Sequence, residues 1–178
     1  MKDAKNKMIT IRQATPDDAD LIHQLAWQIF PETYKDILTP EQRDFMMDWM
    51  YSVPNLIKQM TEEKHTYLLG YEEDKCIGYV SVQPEGNAIY HLQKLYILPE
   101  KQGLGYGRIL FKNAIAYIKK ISPQTQLLHL NVNRYNKALD FYKHIGMKII
   151  ASGDFPIGNG YYMNDYIMEL DLMNTDMK

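Results

Sequence analysis

The chain has one cysteine, Cys76, among 178 residues, so an internal disulfide is excluded and no ligand spacing for a metal exists. It has no excess of either charge: 20 Lys and Arg stand against 22 Asp and Glu, for a formal net charge of −2. No basic stripe of the kind that binds nucleic acid follows from that balance. It lacks a long apolar run, and its lysine-rich first residues lead into no signal-type apolar core. Neither a nucleic acid nor a membrane is therefore expected as a partner, and the expected location is the cytoplasm. Repeats and low-complexity linkers are also missing, so one domain is expected over residues 1–178, with a core from about 9 to 172.

What is present is ordinary globular material, 46% hydrophobic and 24% charged. Ile9 to Ala14 alternates apolar and polar residues, a strand pattern. Thr15-Pro16-Asp17-Asp18 reads as a helix N-cap, and the helix is expected to end near Phe30. Thr39-Pro40-Glu41-Gln42 is a second cap, with Gln42 placed for a capping box, and Pro54 interrupts the stripe that follows. Turn-like separators divide His65–Tyr71, Cys76–Pro84 and Ala88–Ile97 into an antiparallel meander. A helix over Tyr106–Ile121, a strand over Leu127–Asn131, a helix over Asn136–Ile145 and a strand over Met147–Ser152 come next. Phe155 to Gly160 reads as a loop before a last strand, Asp165–Leu172. The fold class is α/β (α+β) with a central mixed, mostly antiparallel sheet.

The third strand of the meander runs through Pro99 into Gln102-Gly103-Leu104-Gly105-Tyr106-Gly107-Arg108 and then a long helix. Glycines let backbone N–H groups approach a ligand closely, and the helix N-terminus favours an anion such as a pyrophosphate. A Walker A loop is excluded, because no Gly-Lys-Ser/Thr closes it. The dinucleotide fingerprint fits poorly, since its third glycine falls on Arg108, and it belongs to a parallel unit rather than a meander. A glycine-rich connection that binds nothing is the remaining alternative.

Gln102 to Gly107 resembles the Gln/Arg-x-x-Gly-x-Gly/Ala signature of the GNAT N-acetyltransferases. Leu95-Tyr96-Ile97-Leu98-Pro99-Glu100 is similar to that family's fourth strand and its exit. Leu130-Asn131-Val132-Asn133, Asn136-Lys137-Ala138 and Phe141 to Met147 resemble its second cofactor motif, with Met147 where phenylalanine is usual. The resemblance implies about seven strands flanked by helices, splayed between the fourth and fifth, and acetyl-CoA as cofactor with CoA as product. It implies that Leu95, Tyr96 and Ile97 bond the pantetheine arm and that Gln102, Gly103, Leu104, Gly105, Tyr106, Gly107 and Arg108 hold the pyrophosphate. Asn133 and Asn136 match positions on the other side of the cofactor, and Tyr142 matches the tyrosine that protonates or hydrogen-bonds the leaving thiolate.

Amine acetylation needs a neutral nucleophile, yet an alkylammonium with a pKa of about 10.4 is almost wholly protonated at pH 7. His91 is the candidate base, in a position where the family commonly has glutamate. Strand alternation places His91, Gln93, Leu95 and Ile97 on one face. From Ile149 to Met177 there is no Lys or Arg, while Asp154, Asp165, Glu169, Asp171 and Asp176 are acidic. This is either solvated surface or a cleft for a cation. The stretches Ile29–Tyr34, expected as the loop between the first two helices, and Gly158–Tyr166 resemble the polyamine-acetylating branch. Glu32, Tyr34, Tyr161 and Asp165 are thereby candidate substrate-binding residues for a small-molecule amine such as spermidine or spermine. The same side chains also suit a homodimer interface. The alternatives are acetylation of a protein N-terminus or lysine, and a CoA-binding regulatory domain without turnover.

Overall fold

The alternating start becomes β1 (Ile9–Gln13), and a 3-10 turn over Pro16–Asp18 leads into α1 (Ala19–Tyr34). Asp18 closes that turn by accepting the Thr15 N–H at 2.8 Å, and Arg12 holds it at 2.7 Å. The computed structural model describes residues 8–174; the lysine-rich start and Asp176 lie outside them. Helix α1 buries Ile22, Leu25, Ala26, Ile29 and Phe30. It continues past Pro31 to Tyr34, so Ile29–Tyr34 is helix and not the expected loop between the first two helices. Pro31 forfeits one backbone hydrogen bond. Packing offsets that loss: the Phe30 and Tyr34 rings lie 4.4 Å apart, and Thr33 Oγ1 donates to Ile29 O at 2.9 Å.

Helices α2 (Pro40–Tyr51) and α3 (Val53–Thr61) separate at Ser52, with Pro54 in the first turn of α3. Thr39 caps α2 by accepting the Gln42 N–H at 3.2 Å. The Gln42 side chain makes a different bond from the expected box, donating to Tyr162 O at 2.9 Å and tying α2 to the C-terminal hairpin.

The meander forms as β2 (Thr66–Glu72), β3 (Lys75–Gly86) and β4 (Ile89–Ile97), followed by α4 (Tyr106–Ile121), β5 (Leu127–Asn133) and α5 (Ala138–His144). Two long strands, β6 (Lys148–Gly158) and β7 (Tyr161–Asp171), end the chain. Phe155–Gly158 is therefore strand, where a loop over Phe155–Gly160 was expected. Proline is tolerated at a sheet edge, and β6 is the edge strand, with an irregular register at Pro156. The sheet order is β1-β2-β3-β4-β5-β7-β6, antiparallel except between β4 and β5. That parallel pair holds only from Ile89–Leu127 to Leu92–Leu130. Beyond it the strands part, as the splayed sheet requires.

A bulge accompanies the parting. Ser81 pairs with Lys94 and Val82 with Leu92, leaving Gln93 as an extra residue on β4. Alternation is reset there. His91, Lys94 and Tyr96 share the face that carries Tyr79, Ser81 and Gln83 on β3, while Leu92, Leu95 and Ile97 share the other. The expected grouping of His91 with Leu95 and Ile97 is thus incorrect, because one inserted residue reverses the side-chain sense. The first face is covered by α1–α3: Tyr96 lies near Phe30 and Tyr34, and Lys94 near Tyr51 and Tyr67. Helix α4 covers the opposite face, where Leu110 sits over Gly70.

At Gly78 on β3, the neighbouring strand β4 leaves no room for a side chain. A Cβ there would lie 2.4 Å from Tyr96 O and 2.7 Å from Ile97 Cδ1. Gly78→Ala is expected to destabilise the fold by about 1–3 kcal/mol, because backbone must move to admit the methyl group. Urea unfolding checks this, and an unchanged midpoint would show that the strands yield freely.

Candidate active site

Past Leu92, β4 bonds only to β3: Leu95 pairs with Val80, Tyr96 with Tyr79 and Ile97 with Gly78. Strand β5 stays paired with β7 on its other edge along its whole length, with Asn131 opposite Ile167 and Asn133 opposite Asp165. The side of β4 that faces the gap therefore meets no strand. A cavity of about 690 Å³ opens there, with Leu95, Tyr96 and Ile97 on one wall, Asn131, Asn136 and Tyr142 on the other, and Gly103, Gly105, Gly107 and Arg108 at the mouth.

The mouth is built by the loop before α4. Gly105 is the N-cap at φ 85°, and Gly103 has φ 76°, conformations that L side chains rarely adopt. A Cβ at either would meet nothing within 4 Å, so the helix N-terminus faces open space. Gln102 fastens the loop to the end of β4, donating to Ile97 O at 3.0 Å. Tyr106 touches the cavity, but its hydroxyl is committed elsewhere, donating to Glu72 Oε1 at 2.6 Å beside the Lys101–Glu72 ion pair. Leu104 is exposed and does not line the cavity.

On the opposite wall Tyr142 is buried, and no group among the described residues bonds its hydroxyl. Burial raises its pKa further above the ordinary phenol value. It is thus a protonated hydroxyl, able to donate to a developing anion but a reluctant source of the proton itself. Tyr34 donates or accepts at Tyr96 Oη at 3.1 Å and accepts from Asn136 Nδ2 at 3.3 Å, closing the cavity on the α1 side.

Other expected residues stand apart from this opening. His91 does not line the cavity; its Nδ1 lies 2.7 Å from Glu85 Oε1, and burial lowers its pKa against the opposing pull of Glu85. His129, its register partner, is held by Glu169 at 2.8 Å. Asn133 also lies off the cavity, and its Oδ1 accepts the Tyr135 N–H at 2.9 Å to shape the turn. Tyr161 packs on Phe45 with ring centroids 5.3 Å apart. Glu32 reaches the cavity rim but is exposed and paired with Lys35 at 2.6 Å. Asp165 is buried on β7, one strand behind the opening, on the same face as Asn131.

Sequence reasoning missed Lys94. It is buried beside the cavity, with Nζ 3.1 Å from Gln59 Oε1 and 5.4 and 5.6 Å from the Tyr67 and Tyr51 ring centroids. Burial pushes its pKa down to about 7, with Glu63 pulling the other way. The one available sequence signal was a lysine inside a strand rich in apolar residues.

A sheet pried open beside a glycine-walled helix N-terminus, with a hydroxyl donor facing the gap, suits a thioester arm that ends in a pyrophosphate. Fold and site together define a coenzyme A-dependent acyltransferase. A family model described as "Acetyltransferase (GNAT) domain" matches residues 35–170, and the chain belongs to that family. Its cofactor is acetyl-CoA. The peptidyl-lysine N-acetyltransferase YjaB of Escherichia coli (strain K12) is 25% identical over 148 residues, covering 83% of this chain and 87% of that protein. Among solved structures, the PaiA N-acetyltransferase of Thermoplasma acidophilum in complex with coenzyme A superposes with a TM-score of 0.78 at 22% identity, over 92% of this chain and 99% of that one. Mutant forms of the spermidine/spermine N-acetyltransferase SpeG from Vibrio cholerae superpose with a TM-score of 0.67 at 21% identity, over 94% and 96% of the two chains. At these identities the two structures speak for the fold.

Gly105→Glu is expected to weaken acetyl-CoA binding at least tenfold, since it places a negative charge where an anion belongs and strains a left-handed residue. Calorimetry on the folded variant checks this; unchanged affinity would overturn the pyrophosphate assignment. Lys94 generates a second expectation. A lysine whose folded pKa lies below its unfolded value opposes folding in full below about pH 7, and that opposition fades as pH rises towards 10.5. Lys94→Met is therefore expected to exceed wild-type stability by about 1–3 kcal/mol at pH 6, with the difference shrinking by pH 10. Urea midpoints at both values check it.

Proposed function

We propose that the protein transfers the acetyl group of acetyl-CoA to a primary amine, with the side-chain amine of a lysine, free or in a protein, as the acceptor it fits best. When bound, acetyl-CoA supplies an activated acetyl thioester. In this reading the N–H groups from Gly103 to Arg108 hold the pyrophosphate, and backbone groups of Leu95, Tyr96 and Ile97 hold the pantetheine arm and steady the carbonyl oxygen. Tyr142 donates a hydrogen bond to the departing sulfur. Tyr34 and Asn136 shape the wall on the acceptor side.

The observation that carries the acceptor class is the charge available to it. A polyamine with three or four ammonium groups calls for several free carboxylates. Glu32 is spent on Lys35, and Asp154 on Arg134 at 2.7 Å. Lys35, Lys101 and Arg108 also line the cavity, which disfavours a multiply charged cation. Asp165 is buried one strand behind the opening and does not line it. The likeness to a peptidyl-lysine acetyltransferase across most of both chains supports the same reading. Spermidine and spermine form the second reading, supported by Asp36 and Glu32 at the cavity rim.

Free-thiol release from acetyl-CoA separates the two when Nα-acetyl-lysine amide, a lysine-containing peptide and spermidine are compared at equal concentration. The lysine acceptors are expected to match or exceed spermidine in kcat/KM. A preference for spermidine of tenfold or more would transfer the assignment to polyamines.

A further inference from the structure

Two side-chain amides stand where the sheet splits. Leu92 and Leu130 are the last pair that joins β4 to β5. The next residue on each strand is an amide, Gln93 on β4 and Asn131 on β5. Both are exposed, and both line the cavity from opposite sides of the gap. A ligand in the cavity reaches them without entering the core.

Their partners decide which end of each amide is free. Glu63 O, a backbone carbonyl in the turn after α3, can only accept, so Gln83 presents its Nε2 there at 2.7 Å. The turn is itself held, since the Glu63 N–H donates to Lys58 O at 3.1 Å. Gln83 Oε1 is thereby left for Gln93, which answers with its own Nε2 at 2.8 Å. On the other strand Asn131 turns its Nδ2 to the carboxylate of Asp165 at 3.4 Å. Neither Gln83 nor Asp165 lines the cavity, so both NH2 groups are drawn away from it. Among the described residues no group bonds Gln93 Oε1 or Asn131 Oδ1. Two carbonyl oxygens are left open at the apex of the split.

The pair suits one kind of ligand group. Two acceptors match a nitrogen with two N–H bonds. A carboxylate in either place would favour the charged ammonium and hold back its deprotonation, whereas an amide oxygen accepts a hydrogen bond without adding charge. A neutral primary amine fills both acceptors and keeps its lone pair for attack. A neutral secondary amine has one N–H and fills only one.

We propose that Gln93 and Asn131 cradle the nitrogen of the acceptor amine, Oε1 and Oδ1 each accepting one N–H, and so select a primary amine. The inference rests on the amine-acetyltransferase reading above. The acceptor gives one proton to solvent and becomes R–NH2. Its lone pair forms the N–C bond to the acetyl carbon, and the C–S bond breaks with its electron pair on sulfur. One nitrogen proton ends on the thiolate and the other stays on the amide, so the products are one amide and one free thiol. Gln83 is a positioning residue, because it fixes the way in which Gln93 faces.

The test compares Nα-acetyl-lysine amide with its Nε-methyl derivative, a secondary amine, by free-thiol release. Wild type is expected to favour the primary amine by about tenfold or more in kcat/KM. Gln93→Met and Asn131→Leu keep the size and remove the acceptor. Each should lower kcat/KM about tenfold for the primary amine but about threefold or less for the methylated one, whose single N–H can use the other carbonyl. Calorimetry should find acetyl-CoA affinity within about twofold of wild type, because neither substitution touches the glycine loop. Gln83→Met should cost about threefold alone and nothing further in a Gln93→Met background. Equal use of the two amines by wild type, or equal losses with both in the variants, overturns the proposal. So does an unchanged kcat/KM, or a fall in acetyl-CoA affinity that matches the fall in rate. If wild type releases no thiol with any amine, the amine-acetyltransferase reading falls and takes this inference with it.

Discussion

The parting of β4 from β5 is the constraint on which the rest of the molecule depends. Four residue pairs hold the two strands together, from Ile89–Leu127 to Leu92–Leu130. One extra residue, Gln93, then bends β4 away. A buried strand with unpaired N–H and C=O groups is costly unless a ligand or water satisfies them. Over Leu95–Ile97 the gap side of β4 meets no strand, and Gln102 satisfies Ile97 O at 3.0 Å. Close contact with β3 at Gly78 and the Gln102–Ile97 bond hold the bent strand in place from its other side and its end.

The same bulge decides which chemistry meets the opening. It turns Lys94 and Tyr96 towards α1–α3 and Leu95 and Ile97 towards α4. One face of the split sheet thus becomes polar across several strands: His91 and Lys94 on β4, His129 and Asn131 on β5, Asp165 and Glu169 on β7. Most of these groups compensate one another. Glu85 and Glu169 hold the imidazoles, while Gln59 and two tyrosine rings surround Lys94. Asp165 is the least compensated, buried with one long bond from Asn131.

Helix α1 contributes through packing that overrides its own sequence. Carried past Pro31 by the Phe30–Tyr34 ring contact, it brings Tyr34 against Tyr96 and Asn136. Had the chain left the helix at Phe30, the cavity would lose the wall that faces Tyr142. The C-terminal hairpin is placed in a similar way. Gln42 and the Phe45–Tyr161 contact tie the start of β7 to α2, fixing the strand that carries Asp165.

Much of this was legible in the residue order. Alternation in β1–β4, the caps at Thr15 and Thr39, and the glycines before α4 are local signals, because turn and cap geometry depend on a few neighbouring residues. The glycine loop is such a feature: Gly103 and Gly105 adopt left-handed angles that glycine takes readily. The placement of His91, Asn133, Tyr161 and Lys94 was not legible. A one-residue bulge reverses facing without altering composition, and a proline reads as a break whether or not an edge strand or a packed helix tolerates it. By itself the sequence determined the element order and the glycine loop before α4, both set by interactions among near neighbours. Only the tertiary structure decided which polar groups share the opening and which are neutralised elsewhere, because pairing across strands and burial depend on residues distant in the chain.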